Sequence, residues 1–268
     1  MSKRALCVGI NDYPIAGMDL KGCVNDAEAW ATLLQEHYDF AASDVAVLLD
    51  GEATHSRVVA GLHDLLRGAR SGDVLVFTNS SHGTYLADTR GEEADRYDEA
   101  MCPYDCKEEL LTDDQLRTLF ADIPRGVRLT VLSDSCHSGS VTRAALPGMT
   151  PDDRRVRFMN PKEVRQPVIG DVRRTAAPRR PELHPESDMN ELLLSGCRSN
   201  QYSYDARFGR TYHGAMTWHA LRVIEAAGHR LTYSALASQL RGALAESQYD
   251  QEPQLEGKAA FKRRQVFT

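Results

Sequence analysis

Cys136 and His82 are the residues of this chain whose types and surroundings could do covalent chemistry. Cys136 lies in Asp134-Ser135-Cys136-His137-Ser138-Gly139-Ser140, directly after the apolar run Leu129 to Ser133, and His82 ends a second apolar run that begins at Val74. A thiol titrates at about pH 8.5 and is mostly protonated at neutral pH, so it becomes a good nucleophile only when a base takes its proton. An imidazole can be that base. Taken singly, Cys136 reads as a small buried hydrophobe and His82 as a satisfied core histidine. At the polar ends of two Val/Leu-rich runs they read as a pair, the minimum equipment of a cysteine hydrolase. Small residues beside them let backbone N–H groups come close to a substrate, which makes the amides of Gly83 and Cys136 candidates for an oxyanion hole. Asp134, two residues before Cys136, projects to the same side of its strand.

Two strand ends meet only if the elements between them build one sheet, and the pattern along the chain predicts that. Strand-like runs at Ala5 to Ile10, Val45 to Leu49, Val74 to Ser81, Leu129 to Ser133 and Glu191 to Ser195 alternate with helical periodicities. Asn25 or Asp26 can cap a helix in which Ala29, Trp30, Leu33 and Leu34 share a face, and Thr54 can cap the next, through Leu66. Further helices are expected from about Thr112 to Ala121, from Gly214 to Ala227 and from Thr232 to Glu246. Strand followed by helix, repeated, implies an α/β protein with a mainly parallel sheet covered on both faces. Ligands of such sheets sit beyond the carboxyl ends of the strands, where His82 and Cys136 both lie.

Composition narrows the class. With 268 residues and 42% hydrophobic content the chain can bury a substantial core in a single domain. A formal charge of −6 gives no reason to expect nucleic acid as a partner. Six irregularly spaced cysteines do not read as a secreted disulfide framework, and a reactive thiol needs reducing conditions. Cys102-x-x-x-Cys106 lacks the second pair that zinc would require. The start of the chain reads as a strand and not as a signal peptide, and no apolar run approaches the roughly 20 residues of a membrane span. Neither membrane nor cofactor is expected, and the cytoplasm is the expected location.

Several motifs extend the Cys/His pair into a family pattern. A strand ending in Ser80-Ser81-His82-Gly83 and a later one ending in Asp134 to Gly139 resemble the caspase-like cysteine peptidases, most closely the metacaspases and their bacterial relatives, the prokaryotic caspase homologues. Ala5 to Tyr13 and Leu20 to Ala27 are similar to that family's first strand and helix. Tyr97 to Asp105 and Leu111 to Leu116 resemble its segment between His and Cys, and Leu193 to Cys197 and Gly214 to Thr217 its small-subunit region. The likeness covers nearly the whole chain outside about 141–190.

The resemblance implies a three-layer caspase-hemoglobinase fold in one peptidase domain, 1–268, with a large-subunit-like part at 1–140 and a small-subunit-like part at 191–268. It places Asp26 and Asp134, with Ser80 and Cys23 nearby, around the pocket for the residue preceding the cut bond. Two carboxylates there favour a guanidinium or an ammonium, so the expected substrates are proteins with exposed Arg or Lys. It also points to calcium, through Asp98, Asp113 and Asp114. Arg143, however, stands seven residues after the nucleophile, where calcium-binding members carry another acid, so calcium independence is expected. The family's pattern has Gly where this chain has Ser81. If that position needs a positive φ, serine costs about 1 kcal/mol. A catalytically weak or silent regulatory or interaction module is therefore the alternative reading.

Residues 141–190 differ from the rest. They hold seven of the eleven prolines and nine arginines with no regular apolar spacing, the composition of a flexible connector. In an enzyme that cuts after basic residues, such a segment offers cut sites to the enzyme itself or to an upstream activating protease. Arg143, Arg155, Arg174 and Arg180 are the candidates, and the chain is expected to be a zymogen.

Overall fold

The alternation of residues in the first strand decides how the molecule is layered. Ala5 and Cys7 join one apolar cluster and Leu6 and Val8 the other, all four buried, so this strand belongs in the interior of a sheet covered on both faces. The computed structural model describes residues 1–87, 97–136, 154–164 and 186–268. In chain order its elements are β1 (Lys3–Gly9), α1 (Cys23–His37), β2 (Val45–Leu49), α2 (His55–Leu66), β3 (Val74–Ser80), β4 (Gly83–Ala87), β5 (Tyr97–Met101), β6 (Leu111–Thr112), α3 (Asp113–Ala121), β7 (Arg128–Asp134), β8 (Arg154–Val156), β9 (Glu191–Ser195), β10 (Tyr204–Phe208), β11 (Thr211–Gly214), α4 (Ala215–Ala226), α5 (Tyr233–Glu246), β12 (Gln254–Glu256) and α6 (Ala259–Lys262). The main sheet has the order β12-β9-β7-β3-β1-β2. Five of its strands run parallel, and β12 lies antiparallel on one edge. Helices α1, α4 and α5 cover the face of Ala5 and Cys7, and α2 and α3 the face of Leu6 and Val8.

The predicted helix starts at Thr54, Thr112 and Thr232 are all N-caps whose hydroxyls accept a backbone N–H three residues on, and Thr112 forms a full capping box with Gln115. The first helix departs from expectation. Neither Asn25 nor Asp26 caps it: α1 begins at Cys23 after Gly22, and its first amide, at Cys23, donates to the Asn11 side chain at 2.8 Å. Asp26 is thereby free for another use.

Both ends of the chain contribute to one core. β7 pairs with β9 residue for residue, and the C-terminal Phe267 packs edge-on against Trp30, Tyr38 and Tyr233 at 6.0, 5.1 and 6.0 Å. Two three-stranded sheets, β4-β5-β6 and β11-β10-β8, were not legible in the sequence. The second contains a further departure from expectation. Residues 154–164 are no solvated connector, because Arg154–Val156 pair antiparallel with Tyr204 to Ala206 while Arg157 and Met159 are fully buried.

Candidate active site

Register brings the two strand ends to one edge. Ser80 at the end of β3 lies opposite Asp134 at the end of β7, so His82 and Cys136, each two residues further on, leave the same sheet edge side by side. Both are buried. The Nε2 of His82 lies 2.7 Å from the Met18 carbonyl oxygen. A carbonyl only accepts, so Nε2 carries the proton and Nδ1 the lone pair. Nδ1 is buried without a hydrogen-bond partner. Burial lowers the imidazole pKa to about 4, with the Met18 contact acting in the opposite sense. The Cys136 sulfur is held against Ser203, 3.1 Å from its carbonyl oxygen and 2.5 Å from its amide nitrogen.

Arg157 occupies the groove beside them. Its guanidinium, with no exposed surface, is 2.7 Å from Asp26, 3.1 Å from Asp205 and 3.5 Å from the Asp134 carboxylate, and it donates to the Asp134 carbonyl at 3.0 Å. The carboxylates are themselves anchored. Asp26 accepts from the Gly214 amide at 2.9 Å and pairs with His213, while Asp134 accepts from the amide and hydroxyl of Thr217 and from the Ser203 hydroxyl. Burial raises the Asp26 pKa, and Arg157 is the largest influence pulling it back. A Cβ at Gly214 would collide with both the Asp134 carboxylate and the Arg157 guanidinium, so only glycine lets backbone line this wall. At the other end of the same residue, the Arg157 carbonyl oxygen accepts from the Gly83 amide at 3.0 Å and the Cys136 amide at 3.1 Å. The two amides expected to form an oxyanion hole thus converge on the carbonyl of a residue whose side chain fills a carboxylate pocket.

The metacaspase peptidase C14 domain family matches residues 3–145. The chain belongs to the metacaspases, a family of cysteine peptidases. It is 42% identical to Metacaspase-4 of Arabidopsis thaliana over 147 residues, covering 53% of this chain and 34% of that protein, so it spans about a third of that relative's length. The crystal structure of protein GSU0716 from Geobacter sulfurreducens superposes with a TM-score of 0.70 at 27% identity, over 100% of this chain and 99% of that one. Caspase-1 from Spodoptera frugiperda shares the fold, with a TM-score of 0.59 at 13% identity over 95% and 86% of the two chains. The three-layer architecture is therefore caspase-like.

In this metacaspase the four pocket residues inferred from resemblance do not play equal parts. Asp26 and Asp134 meet the guanidinium directly. Cys23 lies one turn before Asp26, where burial pushes its thiol pKa well up and Arg157 opposes the rise. Ser80 is buried at the end of β3, opposite both Gly9 and Asp134. Two contributors escaped sequence reasoning. Asp205 sits in a short strand whose pattern marks no special role, and it accepts from the amides of Lys21 and Gly22 as well as from Arg157. Met18 acts through its carbonyl, which no side-chain search can find.

Four expectations need correction or placement. Arg155, a processing candidate, donates to the Asp19 carbonyl oxygen at 2.7 Å, while Arg157, not among the candidates, takes the buried position among the carboxylates. Arg143, Arg174 and Arg180 lie outside the described residues, as do His137 to Ser140. Ser81 has no positive φ and donates its hydroxyl to the His82 carbonyl at 2.9 Å, so the strain that favoured a silent protein does not arise. Asp113 and Asp114, the calcium candidates on α3, both pair with the Arg117 guanidinium one turn on. Among the described residues no group of three or more His, Cys, Asp and Glu side chains converges as a metal site, and no helix is long and apolar enough to cross a membrane.

Proposed function

We propose that this metacaspase is a calcium-independent endopeptidase that cuts proteins after Arg or Lys and that cuts itself after Arg157. The observation that carries this reading is the double engagement of Arg157, its guanidinium in a three-carboxylate pocket and its carbonyl oxygen between two backbone amides. A substrate bound for cleavage must satisfy both conditions at once.

His82 Nδ1 takes the thiol proton and the Cys136 sulfur attacks the Arg157 carbonyl carbon, with the developing oxyanion held by the amides of Gly83 and Cys136. The Arg157–Phe158 bond breaks as His82 returns the proton to the Phe158 nitrogen, leaving a thioester. Water, deprotonated by His82, then hydrolyses the thioester to the Arg157 carboxylate and the free thiol. Met18 is a positioning residue, since its carbonyl selects the tautomer with a bare Nδ1. The intact chain is a zymogen in this reading, because residues 154–158 block the groove that another protein would need. Scission frees both ends to leave, while the β7–β9 pairing keeps the two fragments together. Six unpaired thiols suit a reducing compartment such as the cytoplasm.

N-terminal sequencing tests the proposal. Purified full-length chain should yield a fragment beginning at Phe158 that co-elutes with its partner, and Cys136→Ala should yield none. A new N-terminus elsewhere in 141–190, or scission surviving in Cys136→Ala, would overturn it.

A further inference from the structure

The segment that delivers Arg157 carries a second cation into the enzyme. Within β8, Arg154 and Val156 share one face, while Arg155 projects to the opposite one, with Arg157 continuing on that side. The Arg154 guanidinium carbon lies 3.7 Å from the centre of the Tyr249 ring and 4.9 Å from that of Tyr204, and the two rings are 5.9 Å apart. All three of its guanidinium nitrogens are buried without a well-aligned acceptor, and the side chain comes close enough to the Tyr249 hydroxyl to pull that phenol's pKa down against its burial. Phe208 and His219 stand behind Tyr249 at 6.3 and 6.0 Å. A desolvated guanidinium so poor in acceptors is costly unless ring faces offset the lost water, and two tyrosine faces at these distances do that. The negative charge of Asp250 helps raise the pKa of the Tyr204 phenol, after burial, and adds negative potential at the rim.

We infer that Tyr204 and Tyr249 form a second specificity subsite, selecting a guanidinium-bearing side chain three residues before the residue at which the enzyme cuts. Both rings belong to the body of the enzyme, so a protein strand that replaces residues 154–157 along β10 presents its corresponding residue to the same rings. The recognised substrates are segments of the form Arg-x-apolar-Arg, with Val156 marking the apolar place. The inference rests on the reading of Arg157 as the residue cut after.

Fluorogenic peptides Arg-Arg-Val-Arg, Leu-Arg-Val-Arg and Ala-Arg-Val-Arg, offered to the full-length self-processed enzyme, test it. The Arg-first peptide should be cleaved with kcat/KM about 3- to 30-fold above the other two. Tyr249→Phe, which keeps the ring, should preserve that ratio. Tyr249→Leu should bring the Arg-first peptide down to the level of the Leu-first peptide. The peptide series needs no altered enzyme, so it decides the matter even where Tyr249→Leu does not fold. Equal cleavage of the Arg-first and Leu-first peptides overturns the subsite and leaves the proposed function standing. Cleavage of none of the three, together with no fragment starting at Phe158, overturns both.

Discussion

Among the described residues, two arginines each face more than one carboxylate, and their circumstances differ. Arg157 meets Asp26, Asp134 and Asp205, partners 131, 23 and 48 residues away in the chain, at a site with no exposed surface. Arg117 meets Asp113 and Asp114, four and three residues back on its own helix, with about a third of its side chain exposed. The first is a cation brought to acids that other elements hold in place. The second is a helix surface neutralising itself. Carboxylates gathered by long-range contacts and braced by backbone amides keep their negative field whichever cation fills them, and that is a pocket. Carboxylates quenched by a neighbour one turn away have no such field to offer.

The largest predicted effect breaks the first arrangement. Removing one of the three carboxylates takes a directly paired charge from the buried guanidinium, and breaking such a pair costs about 3–5 kcal/mol. Asp134→Asn and Asp26→Asn should each lower kcat/KM toward an Arg-ending peptide by about two to three orders of magnitude, with the fold intact by circular dichroism. Asp205→Asn should join them. A variant of any of the three that cleaves at the wild-type rate would remove its residue from the pocket.

Exchanging the guest is the next largest. Arg157→Ala should stop scission at that bond, and Arg157→Lys should retain it at about a tenth of the rate, since an ammonium cannot reach three acceptors as a planar fork does. Quantifying the Phe158 fragment by mass spectrometry over time distinguishes these outcomes. An Arg157→Ala chain that still cuts there would mean the pocket does not choose the bond.

How far the sequence carried this comparison depends on the range of the contacts. Parallel β3 and β7 were legible from their apolar runs, and with them the common sheet edge from which His82 and Cys136 leave, because strand ends in a parallel sheet share an edge. Thr54, Thr112 and Thr232 announced their helices through local hydroxyl-to-amide bonds. Arg157 was hidden because the Pro- and Arg-rich composition of 141–190 describes the average of a segment, whereas its place is fixed by contacts with Asp26, Asp134 and Asp205 that no local pattern encodes. Asp26 shows the same limit from the other side. Its position near a helix start suggested a cap, but the side chain that serves the first amide of α1 is that of Asn11.

A smaller effect concerns acid. With residues 154–158 seated, burial holds the His82 pKa at about 4, because a desolvated imidazole resists the charge that protonation brings. The pair works with one proton between thiol and imidazole, and a second proton on the acid side stops it. Self-scission should therefore persist as pH falls and decline only as it approaches about 4. Once the segment leaves and water enters, the imidazole should move up toward its ordinary value of about 6.5, and peptide hydrolysis should fall off at correspondingly higher pH. Rates of both reactions measured across pH 3 to 8, in steps of about half a unit, would show two separate acid limbs. Coincident limbs would mean that the seated segment does not govern the histidine.

The smallest effect is expected at the second arginine. Burial raises the Asp113 pKa and Arg117 is the largest influence lowering it, so the acid already has a counter-charge on its own helix. A chelator should leave both self-scission and peptide cleavage unchanged, and added calcium should not stimulate them. Asp113→Asn should shift stability by about 0.5 kcal/mol or less, the worth of a partly exposed pair within one helix, and leave kcat/KM within about twofold. The informative variant is Arg117→Gln, which releases Asp113 and Asp114 from their internal cation. If calcium then begins to raise the melting temperature while the wild type stays indifferent, the two clusters differ only in where their cation comes from, as the comparison holds. Calcium stimulation of the wild-type enzyme would instead show that Arg117 gives way to a metal, and the resident would have to be reclassified as a guest.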